Sequence, residues 1–245
     1  MSSTALIVGL GPGFGEELAR ELAESGYSVA FFARSEGYLE EQAAALRAAG
    51  HEALAVPTDV TDPEAVADGF ETVRAEFGPV DAMTVQVSQE AGWDRLDDLS
   101  AEAFRNAWEI YCWGTFLCVK EAYEDMRDSG GTVLVVGVTP RYGVGDAHGF
   151  VSATAGKRAL TESLARELGG NGVHVVHAAV DGLILNPDVR EMAPDPIEED
   201  RYIDPASAAA VCADAIEQDD GAWSSSIDLR APVDDLQGLL DETLN

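Results

Sequence analysis

Three groups of residues in this chain have the types and spacing that chemistry needs. The first is Gly9-Leu10-Gly11-Pro12-Gly13-Phe14-Gly15, set between an apolar run at 5–8 and an amphipathic stretch beginning at Glu16. A turn with few side chains lets backbone N–H groups approach a pyrophosphate, and the dipole of the helix that follows favours that anion. Gly9, Gly11, Gly13, Phe14 and Gly15 are therefore candidate cofactor-binding residues. The second group is the tip of the next apolar run, Phe31-Phe32-Ala33-Arg34-Ser35. An acid there would take the ribose hydroxyls of a dinucleotide, whereas an Arg pairs with a 2′-phosphate. The tip holds no acid, which favours NADP(H) over NAD(H), with Arg34 and Ser35 as contacts; the alternatives are a solvated Arg34 and a Glu36 turned toward the ribose. The third group is Thr139, Tyr142 and His148, on a loop after an apolar run at 132–136. Among them His148, as an imidazole, is the most plausible acid, unless it is simply solvated.

The elements that must position these groups alternate along the whole chain. Strand patterns lie at 5–8, 28–33, 52–56, 80–85, 132–136, 173–179 and 225–229, with helical patterns at about 13–25, 36–49, 62–77, 99–128, 149–169 and 205–217. That alternation predicts an α/β fold, a Rossmann-type doubly wound parallel sheet of about seven strands with helices on both faces. Asp62-Pro63-Glu64 reads as a helix start, and Ser100 opens the fourth helix similarly. No repeat or linker marks a second domain, so 1–245 reads as one unit. The Pro-rich acidic segment 186–205 is the longest irregular stretch, a possible lid or a solvated loop at the ligand-binding edge.

The spacing Gly9-x-x-x-Gly13-x-Gly15 resembles the short-chain dehydrogenase/reductase family rather than the commoner dinucleotide fingerprint. Thr58-Asp59-Val60-Thr61-Asp62 is similar to that family's Asp-Val loop after the third strand, whose Asp reaches the adenine. By that resemblance Asp59 and Val60 join the cofactor-binding set, and an Arg at position 34 goes with NADP. Ser163-Leu164-Ala165-Arg166-Glu167-Leu168 resembles the end of the family's catalytic helix, and the likeness runs from Leu6 to about Arg230. It implies a nicotinamide-dependent oxidoreductase, in oligomers built through the 99–128 and 149–169 helices.

The resemblance also implies four catalytic groups: a Tyr, a Lys four residues later, a Ser thirteen residues before the Tyr, and an Asn on the preceding long helix. Register from the 163–168 motif puts Phe150 at the Tyr position, Thr154 at the Lys, Gly137 at the Ser and Tyr111 at the Asn. No Tyr-x-x-x-Lys occurs anywhere in the chain. Val85-Gln86-Val87-Ser88 stands where the family has Asn-Asn-Ala-Gly, and Val180-Asp181-Gly182 where it has Pro-Gly. Gly137-Val138-Thr139, Phe150, Asp181-Gly182 and Trp223 through Arg230 resemble a divergent branch that pairs Phe with a downstream Lys. Phe150, Thr154 and Lys157 share one helix face. Lys157 therefore either reaches back to the site or meets a neighbouring helix, a subunit or solvent. Tyr111 either offers a phenol or fills space, and His174 and His177 read as structural.

Composition bounds the rest. The chain carries 45 acidic residues against 15 Lys plus Arg, a formal net charge of -30. Such a surface repels nucleic acid and anionic membranes, and resembles proteins adapted to molar salt, where self-repulsion is screened; the alternative is an acidic protein of ordinary salt. Cys112, Cys118 and Cys212 have neither disulfide nor zinc spacing and read as buried free thiols. With no basic leader and no membrane-length apolar run, the expected location is cytoplasmic. Two readings of function follow. One is an NADP(H)-binding protein with weak or no standard reductase activity, serving as sensor, scaffold or inactive partner. The other is a working oxidoreductase on a small carbonyl or alcohol, with Tyr111 or His148 as proton donor. The first is preferred, because four losses remove the known mechanism. A pure interaction protein without ligand is disfavoured by the glycine turn and Asp59.

Overall fold

The computed structural model describes residues 2–87, 94–139, 147–193, 197–233 and 238–239. Seven strands form one sheet: β1 (Thr4–Val8), β2 (Ser28–Ala33), β3 (Ala53–Pro57), β4 (Val80–Val85), β5 (Gly131–Val138), β6 (Val173–Asp181) and β7 (Ser226–Arg230). Their order is β3-β2-β1-β4-β5-β6-β7. Every pairing is parallel. All residues of β1 and β6 are buried, which is why these strands are mostly apolar or small rather than alternating, with His174, His177 and Asp181 as the polar exceptions in β6. The order reverses at β1, between β2 and β4, so a crevice opens at the carboxyl edge there.

Helices cover both faces: α1 (Phe14–Glu24), α2 (Glu36–Ala48), α3 (Pro63–Phe77), α4 (Ala101–Trp108), α5 (Gly114–Met126), α6 (His148–Leu168), α7 (Pro187–Met192) and α8 (Pro205–Ile216). The core has two halves. Leu18, Leu22, Phe31, Leu39, Leu134 and Ala209 meet on the α1/α2/α8 side, and Phe32, Phe70, Met83, Val119 and Val175 on the α3/α5/α6 side. Asp62 caps α3 as its sequence predicts, its carboxylate accepting from the N–H groups of Glu64 (2.9 Å) and Ala65 (3.4 Å).

Two expectations are corrected. The 99–128 helix is not α-helical throughout: within an unbroken helical run, Glu109–Trp113 forms a π-helical turn between α4 and α5. The segment 186–205 is not simply irregular. It contains α7, capped by Asn186 (Val189 N–H to Oδ1, 2.8 Å), and a short 3₁₀ turn at Glu199–Arg201. It is also tied down, because Leu185 N–H donates to Ile203 O and Ile203 N–H to Leu183 O, both at 2.9 Å.

Candidate functional site

At the crevice, β1 ends in a turn in which geometry requires glycine at some positions and not at others. Gly9 has φ +89°, and a Cβ there would lie 2.6 Å from the backbone of Val87. Gly13 has φ +78°, and a Cβ on it would sit 3.1 Å from the Asn186 side chain. A Cβ on Gly15 would come within 2.5 Å of Gln86 Nε2, whereas one on Gly11 would meet nothing within 4 Å. The turn is therefore wedged from below by Gln86 and Val87 and open above Gly11. Gly9 N–H and Leu10 N–H both donate to Phe32 O, at 2.7 and 3.2 Å. The first-turn amides of α1 have no intrahelical acceptors, as at any helix start. One is already in use: Gly13 N–H donates to Glu16 Oε2 at 3.1 Å, while Tyr38 OH donates to Glu16 Oε1 at 2.8 Å. This cradle, emptied of side chains and backed by a helix start, fits a dinucleotide pyrophosphate.

The flanking candidates stand along the same edge. Arg34 and Ser35 are exposed at the tip of β2. Among the described residues no carboxylate forms an ion pair with Arg34. Asp59 is exposed after β3, its Oδ1 accepting from Thr61 N–H (2.9 Å) and Oγ1 (2.8 Å). Val60 is buried, and a Cβ on Gly114 would lie 2.8 Å from its Cγ2, so Val60 seats the start of α5.

The other end of the edge is built differently. Tyr111 lies in the π-helical turn, 2% exposed, its ring set edge-on to Phe150 of α6 at 5.5 Å and 78°. Thr154, one turn along α6, returns its hydroxyl to Phe150 O at 2.8 Å. Gly137, near the end of β5, is backed by His177 of β6: a Cβ on Gly137 would lie 2.5 Å from His177 Nε2. Neither ring nitrogen of His177 has a hydrogen-bond partner among the described residues. Burial and the charges of Arg158 and Lys157 push its pKa down to about 4. The imidazole is thus neutral at neutral pH. His148 is exposed as the first residue of α6. Thr139 closes β5, its N–H donating to Val180 O at 3.1 Å. Tyr142 and Ser88 lie outside the described residues. Asp181, buried at the end of β6, pairs with Arg230 at 3.1 Å.

Sequence reasoning undervalued Lys157. It goes neither to solvent nor to a surface contact. It is 1% exposed, with Nζ 3.5 Å from Val85 O at the end of β4. Desolvation pushes its pKa down to about 7, against the pull of the Cys112 and Cys118 thiols. Cys118 is fully buried, and Cys112 is half-buried with Sγ donating to Ala153 O at 3.2 Å. All three cysteines are free. His174, by contrast, is tied to Ser224 O at 2.8 Å and stacked on Trp223, as a structural His would be.

Among the described residues no group of three or more His, Cys, Asp or Glu is placed to hold a metal, and no helix is long and apolar enough to cross a membrane.

Known proteins with this architecture share more than the fold. A family model described as short chain dehydrogenase matches residues 3–191. The chain is 34% identical over 193 residues to a cis-4-hydroxycyclohexanecarboxylate dehydrogenase of Sinomonas cyclohexanicum, covering 78% of this chain and 77% of that one. It is 29% identical over 212 residues to a 3-oxoacyl-acyl-carrier-protein reductase of Staphylococcus aureus, covering 81% of each. Among solved structures, an alcohol dehydrogenase from Thermococcus sibiricus complexed with 5-hydroxy-NADP superposes with TM-score 0.82 at 26% identity, over 94% of this chain and 96% of that one. The actinorhodin polyketide ketoreductase solved with NADPH gives TM-score 0.85 at 24% identity, over 96% and 98%, a likeness of fold. With the model matched over most of its length and a relative at 34% identity, this chain belongs to the short-chain dehydrogenase family.

Proposed function

We propose that this chain is an NADP(H)-binding member of its family with weak or no standard reductase activity. The observation that carries the proposal is the packing at the four register positions. Phe150 and Tyr111 fill one another's space, Thr154 bonds its own helix, and Gly137 gives its room to His177. A phenol that shuttles a proton and a cation one turn later are what the family's mechanism needs, and neither Phe150 nor Thr154 supplies one. The cradle, by contrast, keeps its form at Gly9, Gly11, Gly13, Phe14 and Gly15. Arg34 at the β2 tip, paired with no carboxylate among the described residues, favours the 2′-phosphate and hence NADP(H) over NAD(H). The solved alcohol dehydrogenase with 5-hydroxy-NADP is consistent with that preference. A nicotinamide held there supplies hydride transfer; the chain's own part is binding and orientation.

We read residues 1–245 as one dinucleotide-binding unit, acting in high salt. Phe104, Trp108, Trp113 and Phe116 are exposed along α4, the π-helical turn and α5, which supports self-association through that face. The second reading, a working oxidoreductase, rests on His148, which is exposed at the start of α6 and is, among the described residues, the candidate proton donor left exposed.

The test is NADPH titration in molar KCl, followed by turnover on a panel of carbonyls and alcohols. Binding without NADPH oxidation is expected. Turnover abolished by His148→Ala or Tyr111→Phe would establish the second reading instead, and binding of neither NADPH nor NADH would sink both.

A further inference from the structure

Lys120 and Lys157 are the only lysines in a chain of 245 residues. Lys120 is exposed, whereas Lys157 is buried with no carboxylate in ion-pair distance among the described residues. A buried, unpaired ammonium is costly, and an apolar side chain of the same length would fill the space without that cost. Stability therefore gives no reason for this amine.

Its position gives one. Lys157 Nζ approaches the carbonyl of Val85, the last residue of β4. The next two residues are the floor of the glycine turn, with Val87 beneath Gly9 and Gln86 against Gly15. We propose, resting on the dinucleotide-binding reading above, that Lys157 is a positioning residue of the cofactor cradle. Its buried amine fixes the end of β4, and through Gln86 and Val87 the turn, while lending positive potential to a site that takes an anion.

The surroundings make the amine the group whose charge responds. Facing it are Cys112 from the π-helical turn and Cys118 from α5, both with thiols pushed up by burial, so both stay neutral. His177 from β6 is held neutral by its depressed pKa. Arg158 and Glu162 of its own helix pair with each other at 3.1 Å. Between about pH 6 and about pH 9, Lys157 is thus the buried group here that changes charge. A bound anion stabilises the ammonium, and by linkage the ammonium strengthens anion binding, fully at low pH and not once the proton is gone. A tenfold difference in affinity corresponds to about one unit of change in the amine's pKa.

The experiment compares wild type with Lys157→Met, titrating NADPH in molar KCl across that range. The ratio of variant to wild-type Kd cancels the titration of NADPH itself. It is expected to be about ten at the acid end and near one at the alkaline end. The variant's melting temperature should match or exceed that of wild type at the acid end, where burying the charge costs most. A ratio that stays flat with pH overturns the proposal. Should the variant not fold, wild type labelled with ¹³C at lysine Cε gives two resonances, and the buried one should titrate about one unit higher with NADPH bound. An unmoved midpoint overturns the proposal. Wild type that binds NADPH with no such shift sinks the Lys157 role alone, whereas wild type that binds no dinucleotide at any pH sinks the dinucleotide reading with it.

Discussion

The two ends of the carboxyl edge obey different constraints. At the β1–α1 end the backbone decides: Gly9 and Gly13 have positive φ, and the walls at Val87 and Asn186 leave little or no room for a Cβ. At the α6 end side chains decide: an aromatic pair, a hydroxyl turned inward, and an imidazole beneath a glycine. A backbone-built turn tolerates few substitutions, because a side chain at Gly9 or Gly13 would meet a wall. A constellation of side chains can be replaced by whatever packs. The contrast can be broken or sharpened by four measurements.

The largest effect belongs to Gly9→Ala, which combines a positive φ with backbone contact at Val87. It should destabilise the protein by about 3 kcal/mol and abolish NADPH binding, whereas Gly11→Ala should melt within a degree or two of wild type. Equal losses for both would remove the distinction between wedged and open positions.

Next is acid stability. The pKa of His177 is lowered in the fold, so the unfolded chain binds its proton first as pH falls. Its contribution to stability is complete above the ordinary imidazole value of about 6.5 and is lost as pH falls to about 4, roughly 3 kcal/mol in all. Denaturant melts of His177→Leu should show this part of the acid slope gone; an unchanged slope would assign it to carboxylates.

Gly137→Ser places a hydroxyl at the end of β5 but drives Cβ toward His177 Nε2. Alone it should cost about 2 kcal/mol. Combined with His177→Ala it should recover much of that, and a double-mutant cycle reads the coupling. Additive losses would mean the two positions do not share one space.

The smallest effect is Arg34→Ala, expected to weaken NADPH about tenfold and NADH hardly at all, since only the former carries the 2′-phosphate. Equal weakening of both would count against the NADP preference.

The sheet was legible because buried parallel strands read as unbroken apolar runs; β2 and β4 fall on the residues expected. The α3 start was legible in Asp62-Pro63, whose side chain and ring each do one local job. Asn186-Pro187 carries the same signal for α7, but the acidic, Pro-rich composition around it obscured a two-turn helix. The hold of Glu16 on Gly13, three residues before it, carries a capping signal in its spacing too, but it went unread beside the glycines. The tertiary contacts were hidden. Gly137 reads as a missing Ser until the pairing of β5 with β6 brings His177 under it. For Lys157, spacing gave the helix face but not the depth; the scarcity of lysine was the available clue.

The π-helical turn at Glu109–Trp113 has a consequence for comparing this chain with its relatives. Each α-helical residue advances the direction of the side chain by about 100°, so one extra residue in a turn puts α4 and α5 out of phase by about that much. An apolar stripe drawn through 101–126 as one cylinder is therefore two stripes with a step between them. A relative that lacks the step, aligned without a gap, would have its residues after 113 assigned to the wrong side of the helix. A single-residue deletion within the turn would rotate α5 rather than merely shorten it, moving Val119 and Ala122 off the sheet.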